Sequence, residues 1–84
     1  MKKIIDGKLY DTNKMKCMFS TGWIIGEKFS FYHIRDDRYL EIWSPGLGSA
    51  NFWKVVPEFS MKNTAEEYLS AEEYIKLFGP VEEA

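Results

Sequence analysis

The chain has 84 residues with a formal net charge of −2, and 17% of its residues are aromatic. A chain of this length forms one small domain with a modest core. Its single cysteine, Cys17, excludes an internal disulfide, and no segment resembles a secretory leader or has the ~20 apolar residues of a membrane span. We therefore expect one domain over residues 1–84, located in the reducing cytoplasm and without membrane contact.

Charge is distributed unevenly along the chain. Residues 1–20 carry five lysines against two aspartates, whereas residues 58–84 carry seven glutamates against two lysines. The simplest interpretation is a solvated basic hairpin and a solvated acidic helix. The alternative is a charge asymmetry that steers an approaching partner.

The stretch "KIIDGKLYDT" near the start predicts a β-hairpin. Asp6-Gly7 separates two apolar runs, and both central positions of such a tight turn need a positive φ. A two-residue turn at this point pairs Ile5 with Lys8 and Ile4 with Leu9.

Residues 15–21 alternate and predict either a strand or the start of a long connection, and two β-rich runs follow at Phe29–Arg35 and Arg38–Trp43. The last two surround Asp36-Asp37, which predicts a second two-residue turn. Its register would place Phe31 opposite Ile42, so that the two share a face. The expected core face then consists of Phe29, Phe31, His33, Leu40 and Ile42. The opposite, mixed aromatic face consists of Ser30, Tyr32, Ile34, Tyr39, Glu41 and Trp43.

The C-terminal third predicts one strand, a polar connection and one helix. Phe52 to Val56 reads as a strand that ends at Pro57, with Trp53 turned inward and Lys54 outward. The segment "SMKNTAEE" reads as a connection, and "EYL" after it as a short last strand. A capping box at Ser70 and Glu73 predicts a helix over residues 71–78. The whole indicates an α+β domain: an antiparallel β-sheet of four to five strands with one C-terminal helix.

The order of these motifs resembles that of a known group of sequences. "KKIIDGKLYDT", "FYHIRDDRYLEIW", a glycine- and serine-bearing loop and "YLSAEEYIKLFG" follow one another. This is similar to a family of short bacterial, prophage and plasmid open reading frames that begin K-x-I-x-G-K-x-Y-D-T. Some members of that family look like anti-CRISPR or other anti-defence proteins, so the resemblance implies binding to a nuclease complex. The chain departs from the family at Asp37, where a glycine is usual, and at Gly46-Leu47-Gly48, where the glycines are usually paired.

Few residues offer catalytic or ligand-binding chemistry. The glycine-containing loop over residues 44–51 lacks the Lys-Ser/Thr ending of a phosphate-binding loop, and we interpret it as a connection that can present an edge to a partner. Cys17 and His33 form the only Cys-His combination, and both are expected to be buried and inert. Structural zinc needs more Cys and His ligands than the chain has. We expect no catalytic residue, no metal and no cofactor.

Exposed aromatic residues suit protein recognition, because Tyr and Trp are enriched at interface hot spots. The predicted partner-binding residues combine the mixed aromatic face with the acidic start of the helix: Tyr32, Tyr39, Glu41, Trp43, Glu72 and Glu73. We expect Trp43 to be partly exposed.

The sequence therefore predicts a non-enzymatic protein-binding module. The resemblance makes it a phage or mobile-element inhibitor of a bacterial CRISPR effector or other defence nuclease complex. Two alternatives stay open: a small nucleic-acid-binding protein, which the glutamate on the aromatic face disfavours, and a homodimeric accessory protein without catalysis.

Overall fold

The computed structural model describes residues 1–23, 26–46 and 50–84. A two-stranded antiparallel sheet comes first, with β1 at Lys2–Ile5 and β2 at Lys8–Asp11. A four-stranded antiparallel sheet follows in chain order, made of β3 (Lys16–Ser20), β4 (Lys28–Arg35), β5 (Arg38–Ser44) and β6 (Phe52–Val56). Two helices close the chain, α1 at Glu58–Tyr68 and α2 at Ala71–Phe78. The α+β class is confirmed, but the described residues form two α-helices and two sheets where one of each was expected.

The first hairpin has the predicted turn and register. Asp6 and Gly7 have φ angles of 49° and 73°, as a two-residue turn with two left-handed positions requires. Ile5 pairs with Lys8 and Ile4 with Leu9.

Replacing Gly7 by Val should destabilise the domain by about 1–2 kcal/mol, because a β-branched residue is strained at a positive φ. A Cβ at this position would meet no atom within 4 Å, so the cost comes from the backbone alone. Thermal unfolding of Gly7→Val against Gly7→Asn measures it, since Asn tolerates the left-handed region. Equal melting temperatures for the two variants would contradict the turn assignment.

The hairpin between β4 and β5 differs from the predicted register by one residue. Arg35 pairs with Arg38, so the turn at Asp36-Asp37 does have two residues, but the ladder shifts between His33 and Arg35. This bulge leaves Ile34 without a direct partner and places Phe31 opposite Glu41. The predicted faces are therefore wrong, because a one-residue slip exchanges the partners across the whole ladder.

The helices pack on one face of the four-stranded sheet, here called the helix face. Phe31 and Tyr39, which were assigned to opposite faces, lie together on it, in a cluster with Phe19 and Val56 from the neighbouring strands. Met61 of α1 is fully buried in the same cluster. Val56 is buried on this face, whereas Lys54 and Phe52 on the same side of β6 are exposed, so the predicted solvent side holds for Lys54 and not for Val56.

The opposite face of the sheet is also covered. Leu40 and Ile42 point to it and are 0% and 3% exposed. The Nζ atom of Lys3 in β1 lies 6.0 Å from the ring centroid of Trp53 on this face, which places the first hairpin over it. Because both faces are covered, the sheet does not divide into the core face and the mixed aromatic face that the sequence predicted.

Helix α1 replaces the polar connection and short strand that the sequence predicted over residues 60–69. Only Met61 and Ala65 of this helix are buried, one turn apart. The first N–H groups of a helix have no acceptor within the helix. In α1, the carboxylate of Asp37 accepts a hydrogen bond from the N–H of Glu58 at 2.8 Å. This cap comes from a distant turn, and a local motif could not reveal it.

Helix α2 has the predicted bounds and the predicted capping box. The Ser70 hydroxyl accepts from the N–H of Glu73 at 3.1 Å, and the Glu73 carboxylate accepts from the N–H of Ser70 at 2.9 Å. Gly79 follows at a positive φ and ends the helix.

Candidate partner-binding surface

The structure separates the six residues predicted to bind a partner. Tyr39, Glu41 and Trp43 alternate along β5 and point to the helix face. Tyr32 lies opposite Leu40 and points to the other face. Glu72 and Glu73 are exposed on the first turn of α2. The bulge in β4 is the reason that Tyr32 and Trp43 do not share a face.

Tyr39 belongs to the core, not to an open surface. Its side chain is 7% exposed, and its ring centroid lies 4.8 Å from that of His33. Burial raises the pKa of the Tyr39 hydroxyl, with further contributions from the nearby carboxylates of Glu58 and Asp37. Burial also raises the pKa of the half-buried Tyr32, and Cys17 beside it adds to this effect.

An aromatic patch lies at the C-terminal end of β5 and consists of Trp43 and Phe52. Trp43 and Phe52 are paired across β5 and β6, with ring centroids 5.3 Å apart and an angle of 29° between the rings. Phe52 is 55% exposed and Trp43 is half-buried, as predicted for Trp43. Glu41 and Lys54 form the next cross-strand pair on the same face. We call these four residues the aromatic corner.

Phe52 was missing from the predicted set because its strand and that of Trp43 were assigned separately. The sequence could have revealed this pair, because aligning the two predicted strands as neighbours in the sheet places the Trp43 and Phe52 rings side by side. Trp53, the predicted inward residue, is half-buried on the opposite face near Lys3.

The carboxylate of Glu41 lies in a partly buried position that disfavours its charged form. Burial raises its pKa, and the ammonium group of Lys54 opposes that shift without cancelling it. Among the described residues, the only ion pair within 4.0 Å joins Lys62 and Glu58, so Glu41 and Lys54 are cross-strand neighbours that form no ion pair within that distance. The ionised form of Glu41 therefore costs the folded state free energy.

Glu41→Gln should raise the melting temperature near neutral pH, because it removes a charge that burial disfavours. When folding raises the pKa of a carboxyl group, the folded state loses stability as the pH rises through that pKa. The gain should therefore vanish below about pH 4, where the carboxyl is protonated in both states. Melting curves across this range measure the effect, and Glu72→Gln is a control on an exposed carboxylate. An equal gain at all pH values would contradict the burial of Glu41.

The two acidic residues of α2 have different roles. Glu73 is occupied by the capping box, and its hydrogen bonds with the backbone and side chain of Ser70 lower its pKa. Glu72 is exposed and makes no side-chain hydrogen bond within the described part of the chain. Of the two, Glu72 is the one whose carboxylate is available to a partner.

Cys17 and His33 do not form a pair. Cys17 lies opposite Tyr32, while the His33 partner in the ladder is Lys16. The expectation of a buried thiol is wrong, because Cys17 is exposed. His33 is half-buried, and its Nε2 atom lies 3.0 Å from the carbonyl oxygen of Asp36. Residues 1–23, 26–46 and 50–84 contain no group of three His, Cys, Asp or Glu side chains that could hold a metal ion.

The glycine-containing loop next to the aromatic corner is described only at its two ends. Gly46 has a φ of 84° and lies so close to the carbonyl group of Gly26 that a Cβ would collide with it. The loop that precedes β4 therefore touches the loop that precedes β6. Leu47 to Ser49 lie outside the described residues, and with them the centre of the loop predicted over residues 44–51.

No protein-family model, curated protein or solved structure matches the chain. The resemblance to anti-defence open reading frames therefore stays a prediction. Across the part of the chain that the structure describes, neither helix has the length and hydrophobicity needed to cross a membrane.

Proposed function

We propose that the protein is a non-enzymatic protein-binding module that contacts its partner through the aromatic corner. The observation that carries the proposal is the stacked pair of Trp43 and Phe52, in which the ring of Phe52 is 55% exposed. Large aromatic rings in a rigid, partly covered setting are typical anchors of protein interfaces. The neighbouring strand pairing holds these rings in place before a partner arrives.

The carboxylate of Glu41 supports the same surface. Its burial costs the free protein stability, and such residues are frequently found where a protein binds or reacts. A donor on the partner would stabilise the ionised form of Glu41 and offset that cost.

The partner class follows from the resemblance. We infer that the partner is a CRISPR effector or another bacterial defence nuclease complex, and that the protein acts on it in the cytoplasm as a phage or mobile-element inhibitor. The separation of Cys17 from His33 supports a role in binding and not in nucleophilic catalysis.

Affinity capture from a bacterial lysate that contains such complexes tests the proposal. The bait is the full chain, compared with Phe52→Ser and with Phe59→Ser. Phe59 is the matched control, because it is a phenylalanine of α1 with 67% exposure that lies outside the aromatic corner. We expect wild type and Phe59→Ser to retain a nuclease complex and Phe52→Ser to lose at least about tenfold in affinity for it.

Two results would contradict the proposal. Equal loss in both phenylalanine variants would show that exposed apolar area, and not the aromatic corner, drives association. Capture of nucleic acid alone, with an affinity that falls steeply as salt is added, would favour the nucleic-acid alternative.

A further inference from the structure

A second surface combines basic and apolar side chains at the opposite end of the four-stranded sheet from the aromatic corner. An open cleft of about 280 Å³ lies between the first hairpin and the turn that joins β4 to β5. Three cationic residues line it: Lys8 from β2, Arg35 from β4 and Arg38 from β5. Leu9, Tyr10, Met15 and Ile34 form its apolar part.

None of the three cations in this cleft forms an ion pair within 4.0 Å with a described carboxylate. Arg35 and Arg38 are a cross-strand pair, so their side chains start from directly opposite positions. Among the described residues, the only carboxylate within 4.0 Å of a lysine or arginine nitrogen is that of Glu58, and its partner is Lys62. Like charges held together without a counter-ion repel each other, and an anion placed among them relieves the repulsion.

One acidic residue of the nearby turn, Asp37, is directed away from the cleft. The carboxylate of Asp37 accepts the hydrogen bond that caps α1, and it lies near enough to Tyr39 to raise the pKa of that hydroxyl. Both contacts are on the helix face. The Asp37 carboxylate is therefore held on the helix face while Arg35 and Arg38 line the cleft, and Asp36 forms no ion pair within 4.0 Å with a described residue.

The shape of the cleft distinguishes between two kinds of anion. Proteins bind single-stranded nucleic acid through exposed aromatic rings that stack on the bases. The ring of Tyr10 is not available for stacking, because Tyr10 is only 6% exposed. An apolar floor beside three cations instead matches a peptide in which acidic residues alternate with apolar ones. Guanidinium groups bind carboxylates with two parallel hydrogen bonds, which gives such a site its orientation.

We propose that the cleft formed by Lys8, Arg35 and Arg38 binds an acidic, partly apolar segment of a protein partner. The carboxylates contact the three cations, and the apolar side chains between them contact Met15 and Ile34. The site lies apart from the aromatic corner, so binding at either surface can be lost while binding at the other is retained. If the partner proposed above is correct, this cleft is a second point of contact with it.

Nuclear magnetic resonance titration of the full chain tests the cleft with defined probes. The first probe is a short peptide of alternating Glu and Leu, the second is its Gln and Leu counterpart, and the third is oligothymidylate. Arg35→Glu reverses a charge in the cleft, whereas Lys76→Glu makes the same change at an exposed site on α2.

We expect the Glu-Leu peptide to shift the amide signals of the cleft residues in wild type and in Lys76→Glu. Affinity should fall at least about tenfold in Arg35→Glu, which corresponds to one lost charge-assisted contact. Three results would overturn the proposal: no shift of these signals at millimolar peptide, equal binding of the Gln-Leu peptide, or tighter binding of oligothymidylate at the same residues.

Discussion

Met61→Ala should reduce the free energy of unfolding by about 2–5 kcal/mol, the range for removing a fully buried large side chain. Met61 is 0% exposed and joins α1 to the sheet in the same cluster as Phe31 and Tyr39. Small domains have total stabilities of about 5–15 kcal/mol, so this loss is a large fraction of the whole.

Urea denaturation followed by circular dichroism measures the effect of Met61→Ala. Phe59→Ala is the control, because it removes a large side chain from the same helix at an exposed position. We expect the control to change stability by less than about 0.5 kcal/mol. If the two variants unfold at the same urea concentration, α1 is not docked on the sheet through Met61.

Gly46→Ala should also be strongly destabilising, by about 2–5 kcal/mol. Part of the cost is the left-handed backbone, with φ at 84°, and part is the collision of the new Cβ with the Gly26 carbonyl group. The two loops would have to separate to accept the methyl group.

Gly22→Ala separates these two contributions. Gly22 has a φ of 69°, but a Cβ there would meet nothing within 4 Å. We expect it to lose only about 1–2 kcal/mol, the cost of the backbone conformation. Thermal or chemical unfolding measures both variants. Equal losses would show that the two loops do not approach each other at Gly46.

The features that the sequence predicted correctly depend on short-range chemistry. Asp6-Gly7 specifies its own turn, and Ser70 with Glu73 specifies the start of α2, because each motif satisfies backbone groups within a few residues. Strand Phe52–Val56 ends at Pro57 for a similarly local reason.

The features that were wrong depend on distant contacts. The bulge at Ile34 changes the register of β4 and β5, and no residue type near it signals the shift. Helix α1 buries only Met61 and Ala65, which is too weak a periodic pattern to separate it from a polar connection. The cap from Asp37 lies 21 residues from its helix in sequence, so it can be seen only in the folded chain.

The contrast between local patterns and distant contacts also explains which residues of the candidate site were predicted and which were missed. Trp43 was found because it lies in an alternating strand, and its partial exposure is confirmed. Phe52 was missed because the ring that it stacks on belongs to another strand. Tyr32 was grouped with Trp43 only through the register that the bulge removes.

Cross-saturation transfer in the complex with the captured partner tests the role of the aromatic corner most directly. Irradiating the partner should attenuate the signals of Trp43, Phe52 and Lys54, and leave those of Phe59 unchanged. Attenuation centred on Phe59 and the rest of α1, with the Trp43 and Phe52 signals unaffected, would contradict the assignment.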